Sequence, residues 1–140
     1  MSLAFDTETI RLMNLFENLS GTVVKDYILD ENSNSVFFIV NKNRAKIAIG
    51  RNGIKIKNIE KILKRKIKVF EYSEDVKKFV KNIVPNALSV DVVENSGKKI
   101  VIIRVDRNDR PIVIGRDGRN LKILKKILNR NHDISEVIIR

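Results

Sequence analysis

The apolar positions in the first half of the chain predict an alternation of helices and strands. Leucine and phenylalanine at i, i+3, i+4 and i+7 predict an amphipathic helix that is capped by Asp6 and ends at Gly21. Apolar runs separated by turn residues predict five further elements. These are strands over 22–29 and 35–40, a short helix over 43–49, a helix that ends near Lys66 and a strand over 67–72. The two longer helices are expected to bury Leu12, Leu15, Phe16, Leu19, Ile56, Ile59, Ile62 and Leu63.

The same order of elements begins again at Ser73, a candidate N-cap, and Pro85 is expected to end the new helix. Strands over 87–93 and 99–105, a short helix over 111–114, a longer helix and a strand over 134–139 follow. The expected buried stripes of its two longer helices are Val76, Phe79, Val80, Ile83, Leu121, Leu124, Ile127 and Leu128. Each half therefore has the order α-β-β-α-α-β. This predicts an α+β fold, with one domain over residues 1–72 and a second over 73–140.

An internal repeat accounts for this recurrence. When the chain is shifted by 65 positions, 13 of the 30 residue pairs between 36–65 and 101–130 are identical. The identical pairs include aligned glycines and arginines, which a shared bias toward isoleucine and lysine does not explain. We interpret the chain as a tandem duplication. No Gly/Ser-rich or Pro-rich spacer separates the halves, so we expect them to be held at a fixed angle.

Each half contains a short glycine turn with an arginine at its first inner position. The two copies are Ile49-Gly50-Arg51-Asn52-Gly53 and Ile114-Gly115-Arg116-Asp117-Gly118. Two glycines this close let the backbone bend without a Cβ clash and leave its N–H groups uncovered. A helix that starts at the second glycine directs its amide donors and positive dipole end outward, which favours a phosphate.

Charge is concentrated around these turns. The net charge of the chain is +11, yet residues 42–68 carry +10 and residues 98–130 carry +8, so the remaining residues sum to −7. A heat-adapted, lysine-rich surface would have balancing acids nearby, which these two blocks nearly lack. The pattern therefore indicates a polyanionic partner.

Other site classes receive little support from the composition. The chain has no cysteine, which excludes disulfides and thiolate metal sites, and aromatic residues make up only 6%, which disfavours an aromatic stacking platform. His132 is interpreted as a solvated loop residue, and Asp106 and Asp109 as members of surface ion pairs. We expect no catalytic residue, no metal and no cofactor. Without a signal peptide or an apolar run of membrane-spanning length, a soluble, cytoplasmic protein is expected.

The stretch Ile-Gly-x-x-Gly-x-x-apolar resembles the signature of the KH nucleic-acid-binding domain. It occurs here as Ile49 to Ile56 and again as Ile114 to Leu121. The order α-β-β-α-α-β is similar to the type II form, which is a three-stranded sheet with helices on one face. Two such domains in tandem resemble the family of short archaeal NusA-like transcription factors. The resemblance covers about residues 5 to 140.

The resemblance implies a binding site for single-stranded RNA in each half, with the glycine loop clamping the sugar-phosphate backbone. The loop glycines would be Gly50, Gly53, Gly115 and Gly118, with Arg51 and Arg116 supplying charge and Asn52 and Asp117 completing the loops. Asp117 departs from the neutral or basic residues preferred at its position. The apolar groove floor would be Ile47, Ile49, Ile56, Ile112, Ile114 and Leu121. Lys55, Lys57, Arg119 and Lys122 would flank the strand. Replacing Asn52 and Asp117 by proline or a bulky acid is expected to weaken RNA binding without unfolding.

Three functions remain open from the sequence. The first is a non-enzymatic, NusA-like factor that binds nascent RNA during elongation and termination, with both clefts on one strand and RNA polymerase as a candidate partner. The second is a ribosome-associated or RNA-processing KH protein. The third is a nuclease, which the single histidine and the lack of clustered carboxylates disfavour. Neither a membrane nor a small-molecule substrate is expected as a partner.

Overall fold

The computed structural model of the protein describes residues 7–140, so the expected Asp6 cap lies outside the described residues. The chain divides into two compact units, Met1–Tyr72 (unit 1) and Ser73–Arg140 (unit 2). Within residues 7–140, no helix is both long and apolar enough to cross a membrane.

Unit 1 is a three-stranded sheet with helices packed on it. Its elements are α1 (Thr7–Ser20), β1 (Val24–Asp30), β2 (Ser35–Val40), α2 (Ala45–Ile49), a 3-10 turn (Arg51–Gly53), α3 (Ile54–Leu63) and β3 (Lys66–Glu71). Strand β2 is central, since it pairs antiparallel with β1 and parallel with β3. A parallel neighbour requires a crossover connection, and α2, the turn and α3 supply it. The crossover therefore contains the first glycine turn.

The core of unit 1 forms between the helices and one face of the sheet. Val36, Phe38 and Val40 alternate along β2, so their side chains lie on the same face of the sheet. The buried cluster that they join also contains Leu12, Phe16, Ala48, Ile59, Leu63 and Ile67.

Two residues expected in the buried stripes of unit 1 are instead exposed. Leu19 is 38% exposed because the neighbouring Ser20, which is fully buried, faces the core in the last turn of α1. Ile62, which lies roughly a quarter turn round α3 from the centre of the stripe formed by Ile59 and Leu63, is 57% exposed. Helix α3 also ends earlier than expected, at a C-cap Lys64 in the left-handed conformation, rather than near Lys66.

Unit 2 has the same order of elements. They are α4 (Val76–Ile83), β4 (Ser89–Asn95), β5 (Lys98–Arg104), α5 (Arg110–Ile114), a 3-10 turn (Arg116–Gly118), α6 (Arg119–His132) and β6 (Glu136–Ile139). Strand β5 is central, antiparallel to β4 and parallel to β6, so α5 and α6 form the second crossover. The predicted α+β class, with three-stranded sheets and helices, is thereby confirmed.

The start of α4 differs from the sequence-based expectation. Asp75, not Ser73, is the N-cap, and its carboxylate accepts hydrogen bonds from the amides of Lys77 and Lys78. Ser73 lies two residues earlier, and its hydroxyl accepts a hydrogen bond from the amide of Asp75 at 3.2 Å. Two orphan amides at the start of a short helix thus depend on one side chain.

Replacing Asp75 by alanine is expected to lower the free energy of unfolding by about 1 kcal/mol, the usual cost of losing an N-cap. Urea denaturation of D75A and the unchanged chain measures the difference. Glu74→Ala is the control, because Glu74 is exposed and is not the cap. Equal effects of the two substitutions would contradict the assignment of Asp75.

His132 is not the solvated loop residue that the sequence suggested. It is the last residue of α6 and is half-buried. Its ring nitrogen Nε2 lies 2.8 Å from the carbonyl oxygen of Ser73, and its ring centroid lies 5.4 Å from that of Phe79. The side chain therefore ties the end of α6 to the segment before α4. Asp106 likewise has a backbone partner, the amide of Asn108 at 3.0 Å, in place of the expected ion pair.

Candidate nucleic-acid interface

The two glycine turns adopt the same backbone conformation. We call Gly50–Gly53 the first glycine loop and Gly115–Gly118 the second glycine loop. The leading glycines, Gly50 and Gly115, both have φ of 79°, with ψ of 175° and 169°. This combination is essentially restricted to glycine. Each loop lies between the two helices of its crossover, where α2 packs against α3 and α5 against α6.

The leading glycines are required by the packing of each loop against the helix that follows it. A Cβ at Gly50 would lie 2.6 Å from Lys55 Cβ, and one at Gly115 would lie 2.8 Å from the backbone nitrogen of Asn120. Real Cβ atoms essentially never approach this closely. The leading glycine of each loop is therefore required for packing against the following helix, whether or not a ligand is bound.

The trailing glycines are different. Gly53 and Gly118 have φ of 72° and 71° in the left-handed region, so their conformation also favours glycine. A Cβ at Gly118 would have no described atom within 4 Å, and one at Gly53 would only reach Ile56 at 3.9 Å. The space above the trailing glycines is open, and a ligand can approach the backbone there.

The second inner residue of each loop is also left-handed, with φ of 54° at Asn52 and 58° at Asp117. Asn and Asp are the non-glycine residues that accept this conformation most readily. The sequence-based expectation that proline would leave the fold intact here is wrong, because proline fixes φ near −65°. The structure also explains why an acid stands at position 117 despite its charge.

Positive charge and helix N-termini meet at both loops. Arg51 and Arg116 are exposed, and α3 and α6 begin directly after the trailing glycines. Among residues 7–140, no side chain caps the first turn of either helix, since the N-cap is Gly53 in one and Gly118 in the other. In unit 1 the amides of Gly53 and Ile54 donate to the carbonyls of Gly50 and Arg51 within the loop, and unit 2 repeats this pattern. The positive end of each helix dipole lies beside an arginine, an arrangement that favours an anion.

The expected groove residues are partly accessible. Ile47 is 42% exposed and Ile112 is 70% exposed, which is unusual for isoleucine in helices packed against a core. The other expected floor residues, Ile49, Ile56, Ile114 and Leu121, are half-buried. Each unit therefore presents apolar side chains next to its loop.

One accessible residue was missed in the sequence. Ile54, the first residue of α3, is 57% exposed beside the first glycine loop. Its distance of two positions from Ile56 places it off the buried stripe, which is the signal that could have identified it. Its counterpart in unit 2, Arg119, carries a charge, so the two interfaces differ in chemistry at this point.

The flanking cations are not equivalent. Lys57 and Lys122 are exposed, and Arg119 is half-buried. Lys55, also half-buried, donates a hydrogen bond from Nζ to the carbonyl oxygen of Ser20 at 3.2 Å. Its ammonium group is therefore engaged within unit 1.

Two family models match the chain. The model described as KH domain matches residues 12–88, and the one described as KhpA/KhpB, KH domain matches residues 73–133. The matched ranges together cover most of both units and overlap at the start of unit 2.

Several curated proteins and a solved structure, among others, are similar over most of the chain. The probable transcription termination protein NusA of Methanocaldococcus jannaschii is 34% identical over 133 residues, which are 94% of this chain and 72% of that protein. The protein of the same name from Halococcus morrhuae is 27% identical over 139 residues, which are 98% of each chain. The crystal structure of APE1850 matches with a TM-score of 0.76 at 34% identity, over 94% of this chain and 96% of that one.

Proposed function

The chain belongs to the family of NusA-like KH proteins of archaea, and on that premise we propose that it binds single-stranded RNA through both glycine loops. In this proposal units 1 and 2 are tandem type II KH domains over residues 1–72 and 73–140. The protein is a binding factor in transcription elongation and termination in the cytoplasm, with no catalytic step of its own.

The recurrence of one loop geometry in two positively charged blocks is the observation that carries the proposal. The φ values of the glycines and of the second inner residues differ by at most 4° between the two loops, and each loop has an exposed arginine at its first inner position. A loop that served only folding would need its leading glycine, but it would not need the arginine or the open space above its trailing glycine.

The physical basis is the complementarity of each loop to a nucleotide strand. A phosphate placed over Gly53 or Gly118 would meet the positive end of a helix dipole and an arginine. Without a Cβ at the trailing glycine, the sugar-phosphate backbone can lie against the protein main chain. The exposed side chains of Ile47 and Ile112 provide apolar surface for unstacked bases.

The transcriptional role is proposed from the relatives, whose names describe transcription termination. RNA polymerase is then the expected protein partner. Affinity purification from cells separates this role from that of a ribosome-associated or RNA-processing protein. Recovery of polymerase subunits with nascent transcripts is expected, and recovery of ribosomal subunits alone would contradict the transcriptional role.

The inner loop positions provide a test of RNA binding by reciprocal charge changes. Asn52→Asp adds one negative charge beside the first glycine loop, and Asp117→Asn removes one beside the second. At an ionic strength of about 0.1 M, we expect N52D to weaken and D117N to strengthen RNA binding, each by about fivefold. Each substitution changes the charge beside a bound phosphate by one unit. Fluorescence anisotropy with a labelled oligouridine measures both.

The test has an internal control for folding and another for charge. Asn and Asp both accept a left-handed φ, so neither loop variant should change thermal stability appreciably. Asn32→Asp makes the same change in net charge as Asn52→Asp, but in the β1–β2 turn. This turn lies near the C-terminal end of α3, since the neighbouring Asn34 donates a hydrogen bond to the carbonyl of Lys64, which follows that helix. Ten helical residues put this turn about 15 Å from the loop, beyond one Debye length. An equal effect of N32D and N52D would argue against a phosphate at the loop.

A further inference from the structure

The fifth residue after each leading glycine is polar and lies directly under the glycine loop. It is Lys55 in unit 1 and Asn120 in unit 2. We propose that both are positioning residues, which hold the loops in the conformation that binds RNA and do not contact the RNA strand. The inference rests on the proposed RNA-binding function, and it replaces the expectation that Lys55 flanks the RNA strand.

Both residues support the loop backbone by direct packing. The position of a Cβ on Gly50 is 2.6 Å from Lys55 Cβ, and that on Gly115 is 2.8 Å from Asn120 Cγ. No room for another atom remains between either glycine and the residue beneath it. A movement of Lys55 or Asn120 toward its glycine would therefore displace the loop.

The far end of Lys55 is attached to a different element of unit 1. Its Nζ donates to the carbonyl oxygen of Ser20, the last residue of α1, at 3.2 Å. Carbonyls at a helix C-terminus lack intrahelical partners and lie at the negative end of the dipole, so a lysine is stabilised there. Extending Lys55 toward a phosphate would break this contact.

The attachment point is itself firmly held. Ser20 is fully buried, and its hydroxyl accepts the amide of Thr22 at 3.2 Å. The amide of Gly21 donates to the carbonyl of Glu17 at 3.0 Å, which closes the end of α1. The carboxylate of Glu17 accepts the amide of Val24 at 2.7 Å, so the end of α1 is also fixed to the start of β1. Lys55 thus connects the first glycine loop to a rigid part of unit 1.

Asn120 performs the same task through a different partner. Its Nδ2 donates to the carbonyl oxygen of Ile112 at 2.9 Å, in the helix α5 that leads into the second glycine loop. The second loop is therefore closed onto its own preceding helix, whereas the first is tied to α1. A substitution at either residue should affect only the loop of its own unit.

The substitution Lys55→Met tests the proposal in the full chain. Methionine keeps the aliphatic packing under Gly50 but cannot donate to Ser20. We expect amide hydrogen exchange over 50–53 to accelerate about fivefold without RNA, which corresponds to the net loss of one typical, partly solvated hydrogen bond. Affinity for oligouridine should fall by a similar factor, while the slope of log affinity against log salt stays unchanged. Lys55→Arg, which can still donate to Ser20, should restore both properties.

Lys57→Met is the matched control, because Lys57 is exposed and is expected to flank the RNA strand, where its ammonium group can reach a phosphate. Its salt slope should become shallower by about 0.7, with loop exchange unchanged. Asn120→Leu should accelerate exchange over 115–118 and leave 50–53 as it was. Asn120→Leu therefore provides an independent test of the proposal in unit 2 if K55M does not fold.

Two results would overturn the inference. A shallower salt slope for K55M would identify Lys55 as a phosphate contact, and unchanged loop exchange in both K55M and N120L would show that neither residue holds a loop. If the unchanged protein does not bind oligouridine, the proposed function fails, while the exchange measurements still decide whether these residues position the loops.

Discussion

Replacing Gly115 by alanine is expected to lower the free energy of unfolding of unit 2 by about 3–5 kcal/mol, from the sum of a strained backbone and a steric overlap. With φ of 79° and ψ of 169°, Gly115 occupies a region that residues with a Cβ essentially do not enter. The new methyl group would also lie 2.8 Å from the backbone nitrogen of Asn120, which cannot move without displacing α6. Urea denaturation followed by amide resonances of unit 2 measures the loss.

Gly118→Ala is the matched control within the same loop. Gly118 also has a positive φ, 71°, but an added Cβ there would contact no described atom within 4 Å. With backbone strain alone, G118A should cost only about 1–2 kcal/mol. If G115A and G118A destabilise unit 2 equally, the close packing of the second glycine loop on α6 is wrong.

The order of the elements could be predicted from the sequence because it depends on local periodicity. The stripe containing Ile59 and Leu63 has a helical period and faces the core as expected. Gly21, which has φ of 71°, ends the first helix as expected, because a left-handed residue there is usually glycine. The duplication strengthened these predictions, since each half supported the interpretation of the other.

The burial of side chains near the ends of helices could not be predicted from periodicity in the same way. Ile62 has a fully buried counterpart, Ile127, at the equivalent position of unit 2, yet it is itself 57% exposed. The two isoleucines have the same spacing relative to their stripes, so the difference depends on which side chains pack beside each helix. His132 is a similar case, because its partner, Ser73, is 59 residues away in the sequence.

The positions of the glycine loops could be identified from the sequence, but the different structural roles of their residues could not. Spacing alone does not distinguish the leading glycine, which packs on the next helix, from the trailing glycine, which faces open space. The same limitation applies to Lys55, since its positive charge suggests a phosphate contact and only the contact with Ser20 shows where its ammonium group lies.

The largest effect in unit 1 is expected from Phe16→Ala. Phe16 of α1 and Phe38 of β2 are both fully buried, and their rings stack with centroids 4.0 Å apart at an angle of 14°. Removing one ring leaves a cavity at the junction of helix and sheet, at a cost of about 3–5 kcal/mol. This is comparable to the total stability of a domain of this size, about 5 kcal/mol, so unit 1 should be largely destabilised. Urea denaturation followed by amide resonances of unit 1 measures the effect.

Phe37→Ala is the matched control, because it also removes an aromatic ring from unit 1 but leaves the helix-covered core intact. Phe37 neighbours Phe38 on β2 but lies on the opposite face, is only half-buried and stacks on Phe70 at the longer centroid distance of 6.2 Å. Because less apolar surface leaves the core, F37A should cost under about 2 kcal/mol. If F37A proves as damaging as F16A, the helix-covered face does not hold the main core of unit 1. In that case α1, whose C-terminus anchors Lys55, would not be the rigid support that the first glycine loop requires.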